Sequence, residues 1–185
     1  MKKIFLIIIY FIVLISCSKK DAFEKEIDKE FKQVKVLEDK KAFLQKIYND
    51  SQALLLQKKE LEKNFFRNKD SIRLIEKIID SNRVKNFYRS KKYINKYNYP
   101  GDSLLFSENE RLSIYYAILD QKKLKIHLAF LPIFKNVYSR GVINKYEYLD
   151  FLFKIYYLKN ASFFQYDKRH SIEEIIEDIE PEILK

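Results

Sequence analysis

A single cysteine, Cys17, leaves this 185-residue chain no partner for an internal disulfide. Its two histidines, His127 and His170, stand far apart, and neither sits in an H-E-x-x-H or comparable frame, so no metal site is expected. Only Gly101 and Gly141 are glycine, which excludes a glycine-rich phosphate loop and a Gly-x-Ser-x-Gly nucleophile elbow. Three prolines add few further breaks. No signature recurs at a fixed interval, which excludes a solenoid. No catalytic frame and no cofactor motif emerges from these scarcities, and the expected role is binding or structural.

The N-terminus carries the clearest signal. Lys2 and Lys3 precede the apolar run Ile4 to Ile15, which ends at Ser16 and Cys17. A basic start followed by about 7–15 apolar residues is the layout of an export signal. The run is too short for the roughly 20 residues of a membrane span. Leu14-Ile15-Ser16-Cys17 resembles the bacterial lipobox, in which a small residue precedes the cysteine. That resemblance implies removal of residues 1–16, cleavage between Ser16 and Cys17, and acylation of Cys17. Two or three acyl chains, at about 0.8 kcal/mol per buried methylene, give stable anchoring where a single chain gives only marginal binding. The expected location is the bacterial cell envelope, on the outer membrane, with the bilayer as partner through Cys17. Residues 17–30 are expected to form the lipidated N-terminus and a tether or the first turns of a long helix, and residues 31–185 a helical domain.

The formal net charge of +10 suggests an anionic partner. Abundant Lys, Ile, Asn, Tyr and Phe is also what an A+T-rich genome produces, which weakens that inference. Between Asp21 and Lys63 the charges balance at ten acidic and ten basic, as on a solvated helix surface.

Periodicity points to an all-α single domain of about six helices, the first one long. Phe23, Ile27, Phe31, Val34 and Leu37 recur at helical spacing, and Ile47, Leu54 and Leu61 follow seven apart. A second helix is expected from Asp70 or Ser71 to about Ser81, with Ile72, Ile75 and Ile79 on one face. Three capping boxes open later helices: Ser107 with Glu110, Asn144 with Glu147, and Ser171 with Glu174. Between the first two of these, a stretch from Lys122 to Ser139 contains Pro132 and stops at Gly141. Pro181 is expected to close the last helix.

Two surfaces stand out. From Ser81 to Gly101 there are six cations (Arg83, Lys85, Arg89, Lys91, Lys92 and Lys96), five aromatics and no acid. Interleaved cations and rings suit a nucleic-acid groove. An exported protein rarely meets nucleic acid, so anionic headgroups are the better polyanion. The C-terminal segment from Glu173 to Glu182 has six carboxylates and is expected to dock its isoleucines on the domain, its acids offsetting the basic stretch.

Ile47-x-x-Asp50-x-Gln52, Asp70 ahead of Ile72 to Ile79, the Tyr99-Pro100-Gly101 turn, Leu131-Pro132, and Gly141 leading to Tyr148 and Leu149 are the landmarks of a family resemblance. Over residues 40–160 the chain resembles an uncharacterised helical domain of lipoproteins and secreted proteins in Bacteroidetes-type bacteria. The resemblance implies fold and location, together with a polar site that would include Asp50, Gln52 and Asp70. The chain departs from that pattern at Ala53-Leu54-Leu55, Arg73, Ile118-Leu119-Asp120 and Phe164-Gln165-Tyr166-Asp167.

Three functions are therefore expected to compete. An interaction module for a protein or glycan partner requires an exposed apolar or aromatic patch. A carboxylate-based hydrolase requires Asp50, Asp70 or Glu110 to converge. A polyanion-binding protein requires the six cations on one exposed face.

Overall fold

The computed structural model describes residues 22–185, apart from the side chains of Phe65 and Phe66. The leader, Ser16 and Cys17 lie outside the described residues. The first helix, α1, covers residues 22–32. It is followed by α2 (Leu37–Glu62), α3 (Phe65–Tyr97), α4 (Glu108–Leu119), α5 (Leu124–Ser139), α6 (Lys145–Asn160) and α7 (Ile172–Leu184), with no strand among the described residues.

The expected long first helix is divided in two. No glycine or proline marks the break. The Asp39 carboxylate accepts hydrogen bonds from the backbone N–H groups of Lys35 (3.0 Å) and Val36 (3.1 Å), so α2 starts afresh there. Those two bonds pull the Asp39 carboxyl below its ordinary range. From residue 22 onward the segment expected as a tether or as the first turns of a helix is helical and packed: Ile27 is fully buried, and just beyond it Tyr97 Oη donates to the Val34 carbonyl at 2.6 Å. The longest helix is instead α3, which begins five residues before Asp70 and runs on through the whole basic stretch to Tyr97. Asn98 ends it at φ 64° and ψ −173°, a positive-φ conformation that a helix cannot continue through.

The later caps match the sequence. Ser107 Oγ, Asn144 Oδ1 and Ser171 Oγ each accept from the backbone of their own first turn, and Glu110, Glu147 and Glu174 each return a bond to the cap. Gly141, at φ 69°, stops α5 with its N–H bonded to the Tyr138 carbonyl at 2.8 Å. Pro181 lies inside α7, which continues to Leu184.

Packing follows from these elements. Helices α2 and α3 form an antiparallel hairpin, α4 lies against α2, α5 bridges α4 and α6, and α7 covers α6. The core is aromatic. Phe134 is fully buried and meets Phe151 edge-on at 4.6 Å, Tyr115 at 5.8 Å and Tyr99 at 6.1 Å between ring centroids. Such pairs add about 0.5–1.5 kcal/mol each beyond the area they bury. Ile175, Ile176, Ile179 and Ile183 bury the inner face of α7. Tyr148 Oη locks that helix by donating to Glu180 Oε1 at 2.7 Å.

Candidate functional site

The C-terminal half of α3 organises the polar chemistry of the molecule. At roughly 100° per residue, Lys85, Arg89, Lys92 and Lys96 share one face of a helix, whereas Arg83, Phe87, Lys91 and Ile94 share the opposite one. The six cations expected on a single surface are thus divided between two.

The first face is used up inside the protein. Helix α1 runs parallel to α3, with Glu26 accepting from Lys85 Nζ (2.7 Å), Glu30 from Arg89 Nε (3.0 Å), and Asp28 paired with Lys92. Lys96 Nζ lies 5.4 Å from the Phe31 ring centroid and 5.0 Å from that of Tyr97. Arg89 is only 2 % exposed, and besides Glu30 it donates to Asp50 Oδ2 (2.7 Å) and Asn86 Oδ1 (2.8 Å). Asn86 in turn donates to Ser51 Oγ (3.0 Å) and the Ile47 carbonyl (3.2 Å). Burial raises the Glu30 carboxyl pKa. The hydrogen bond from Lys46 and the charge of Arg89 outweigh that and hold it below its ordinary range. The cluster therefore ties three helices together with its charges satisfied.

The shared pocket expected of Asp50, Gln52 and Asp70 is not formed. Asp50 is committed to Arg89, and Gln52 lies two positions on, roughly 200° around α2. Asp70 is exposed on α3, nineteen residues and so about 28 Å along the helix from Arg89. Glu110 caps α4 through the Ser107 N–H (2.7 Å). The carboxylates of α7 likewise do not reach the basic stretch: Glu173 pairs with Lys145 (3.0 Å), Glu180 with Lys135 and Glu182 with Lys185.

The second face of α3 borders a cleft. A recess of about 640 Å³ lies between α3 and the start of α5, reaching Glu24, Asp80, Arg83, Lys91, Lys122 and Lys123. It adjoins another of about 350 Å³ floored by Ile94, Ala129, Phe130 and Ile133. Both share Phe87, Lys91, Lys125 and Ile126 as walls. Together they fall in the size range of small-molecule sites. Asp80 is occupied, bonded to Arg83 and at 3.2 Å to Lys122. No described carboxylate pairs with Lys91, Lys123 or Lys125, all of which are exposed.

Behind the mouth, Gln121 Nε2 donates to the carbonyls of Arg83 (3.0 Å) and Ala117 (2.8 Å), fixing the end of α4 against α3. His127 is buried and stacks on Phe151, with Nδ1 3.2 Å from the Lys123 carbonyl. Burial pushes its pKa down, which keeps the ring neutral at pH 7. Burial also raises the Asp120 carboxyl, against the pull of Arg83 and Lys154.

Comparison with family models, curated proteins and solved structures finds no match. The site must therefore be read from its own chemistry.

That chemistry is amphipathic. An apolar floor of aliphatic and aromatic side chains is rimmed by lysines free to take an anion. Among the described residues, no three His, Cys, Asp or Glu side chains are grouped to hold a metal, and no helix is long and apolar enough to cross a membrane. Elsewhere Leu104, at 93 % exposure, stands on a loop, and Phe163, at 75 %, packs its ring 5.2 Å from that of the exposed Tyr157. The α5 half of the cleft was not singled out by the sequence. Its signal was Lys122-Lys123-Leu124-Lys125 directly ahead of Ile126, Phe130 and Ile133 at helical spacing.

Proposed function

We propose that this chain is an envelope lipoprotein, anchored through acylated Cys17, whose helical domain binds an anionic amphiphilic ligand in the α3–α5 cleft. One observation carries the binding half of this reading: Lys91, Lys123 and Lys125, without carboxylate partners among the described residues, rim an apolar lining of Phe87, Ile126, Phe130 and Ile133. An unpaired cation over apolar surface favours a ligand that offers a negative charge and a hydrocarbon part together. The anchoring half is supported by the basic start, the apolar run and the Leu14-Ile15-Ser16-Cys17 sequence. The resemblance of residues 40–160 to a helical domain of Bacteroidetes-type lipoproteins supports the same location.

Each half has its own test. Metabolic palmitate should label the wild type and leave Cys17→Ser unlabelled; equal labelling of both removes the anchor. For the cleft, the probe is anilinonaphthalene sulfonate, an amphiphile with one negative charge. The purified protein should give a saturable fluorescence rise that Lys125→Glu weakens and Ala129→Trp, which fills the floor, abolishes. Unchanged titrations in both variants would sink the binding reading.

A further inference from the structure

The position of α1 ties the cleft to the anchor. Glu26 meets Lys85, and four residues later Glu30 meets Arg89, so α1 and α3 run in the same direction. The start of α1 consequently lies beside the Asp80–Arg83 end of the cleft, and Glu24 forms part of its wall. Five peptide steps separate Cys17 from residue 22, which span at most about 18 Å in any conformation. A lipid held by Cys17 therefore keeps residue 22, where α1 begins, within about 18 Å of the bilayer surface. Lys19 and Lys20 fall inside that same short interval.

An excess of cations at this end favours its approach to an anionic leaflet. Arg83, Lys91, Lys122, Lys123 and Lys125 outnumber the carboxylates Glu24 and Asp80 in the lining of the cleft, and Glu24 lies just inside the start of α1, where the chain leads back to its anchor. The carboxylates of α7, the most acidic helix, are carried on an element packed against α6. Charges within about 8 Å of a surface, one Debye length at physiological salt, are only partly screened from it. Each lysine so placed near an anionic leaflet raises surface partitioning roughly fivefold. The cleft then offers its apolar floor to hydrocarbon directly below the headgroups.

We infer that the α3–α5 cleft opens onto the membrane holding the anchor and seats one anionic phospholipid, its phosphate among Lys91, Lys123 and Lys125 and part of an acyl chain along Phe87, Ile126, Phe130 and Ile133. The inference rests on the anchoring and binding reading above and names the ligand and its source.

Acylation consumes the thiol of Cys17, so a newly introduced cysteine is the only labelling site, and this makes the test direct. Acylated Ala129→Cys and acylated Glu177→Cys, both at exposed positions, are labelled with a fluorophore and reconstituted into vesicles bearing a quencher on the acyl chains. In phosphatidylcholine vesicles containing phosphatidylglycerol, the label at 129 should be quenched strongly and the label at 177 hardly at all. Changing Lys91, Lys123 and Lys125 to Glu, or omitting phosphatidylglycerol, should bring residue 129 down to the level of 177. Equal quenching at 129 and 177, or quenching at 129 that ignores phosphatidylglycerol, overturns the inference while leaving the anchor intact. Loss of the 129 signal on adding soluble glycerol phosphate also overturns it, in favour of a free phosphate ligand. Protein that fails to stay with the vesicles at all overturns the anchor and this inference together.

Discussion

Lys85, Arg89, Lys92 and Lys96 occupy one face of α3, and Arg83 and Lys91 occupy the other, about half a turn away. On the first face every cation meets a carboxylate or an aromatic ring of another part of the chain, and the result is adhesion between α1, α2 and α3. On the second face Lys91 joins the lysines of α5 around an apolar floor, and no described carboxylate answers it. Residue type is the same on both faces. Surroundings decide whether a cation is structural or available, so the formal charge of +10 overstates what the protein can offer an anion.

Deleting one cation from each face tests the contrast most severely. Arg89→Ala leaves Glu30, Asp50 and Asn86 without their shared donor in a nearly water-free position. Breaking a buried pair by removing one partner costs about 3–5 kcal/mol. Lys91→Ala, on the exposed face, should stay within about 0.5 kcal/mol of wild type. Denaturant unfolding monitored by circular dichroism measures both. Similar losses from the two changes would show that the faces do not differ.

Acid separates the same regions by pH. His127, beside the cleft, has its pKa lowered by burial, so the unfolded chain takes up a proton first. Stability contributed by the neutral ring is complete above pH 6.5 and declines as pH falls below it. Glu30, on the α1 side, has a lowered pKa through Lys46 and Arg89 despite its burial. Its contribution is complete above pH 4.5 and is lost only as pH falls further, through the folded-state value. His127→Phe should flatten the first decline and Glu30→Gln the second. A single decline below 4.5 in the wild type would show that His127 is not held neutral by burial.

A charge reversal at the cleft should move binding without moving the fold. Lys125→Glu removes one cation and adds an anion at the rim, which weakens attraction to an anionic surface by about 1 kcal/mol per unit of charge. Its unfolding midpoint should stay within about 0.5 kcal/mol of wild type, because Lys125 is exposed. Vesicle retention at rising salt and thermal unfolding are the paired measurements. A fold lost along with binding would mean that Lys125 belongs with Arg89 after all.

The local parts of this arrangement were legible in the sequence, and the non-local parts were not. Ser107, Asn144 and Ser171 could be read as caps because each bond closes within three residues. Gly141 was legible for a similar reason, since a left-handed residue there ends α5 whatever packs nearby. The break before α2 was hidden because Asp39 makes it without glycine or proline, inside an apolar pattern that reads as continuous helix. The expected end near Ser81 concealed the most. With α3 stopped there, Arg83 to Lys96 looked like one basic stretch, and only a helix extended through Tyr97 sorts those residues into opposite faces. No pattern could foretell that Asp50 would be claimed by Arg89, thirty-nine positions away.

The smallest expected effect lies at the edge of the adhesive face. Lys85 and Glu26 are bonded at 2.7 Å, as close as Arg89 and Asp50, so distance alone would rank the two pairs equally. Their exposure does not: the side chain of Glu26 is 52 % accessible, against 3 % for that of Arg89. Water and salt screen the outer pair, and two long side chains lose rotamer freedom to form it, which leaves about 0.2–1 kcal/mol. A double-mutant cycle with Lys85→Ala and Glu26→Ala isolates that term from the other contacts of each residue. A coupling energy inside that range, shrinking as salt rises, would place this edge with ordinary surface ion pairs. A coupling as large as the loss from Arg89→Ala, and indifferent to salt, would mean that α1 excludes water along its whole length. The adhesive face would then be one buried seam rather than a single buried arginine with a solvated rim.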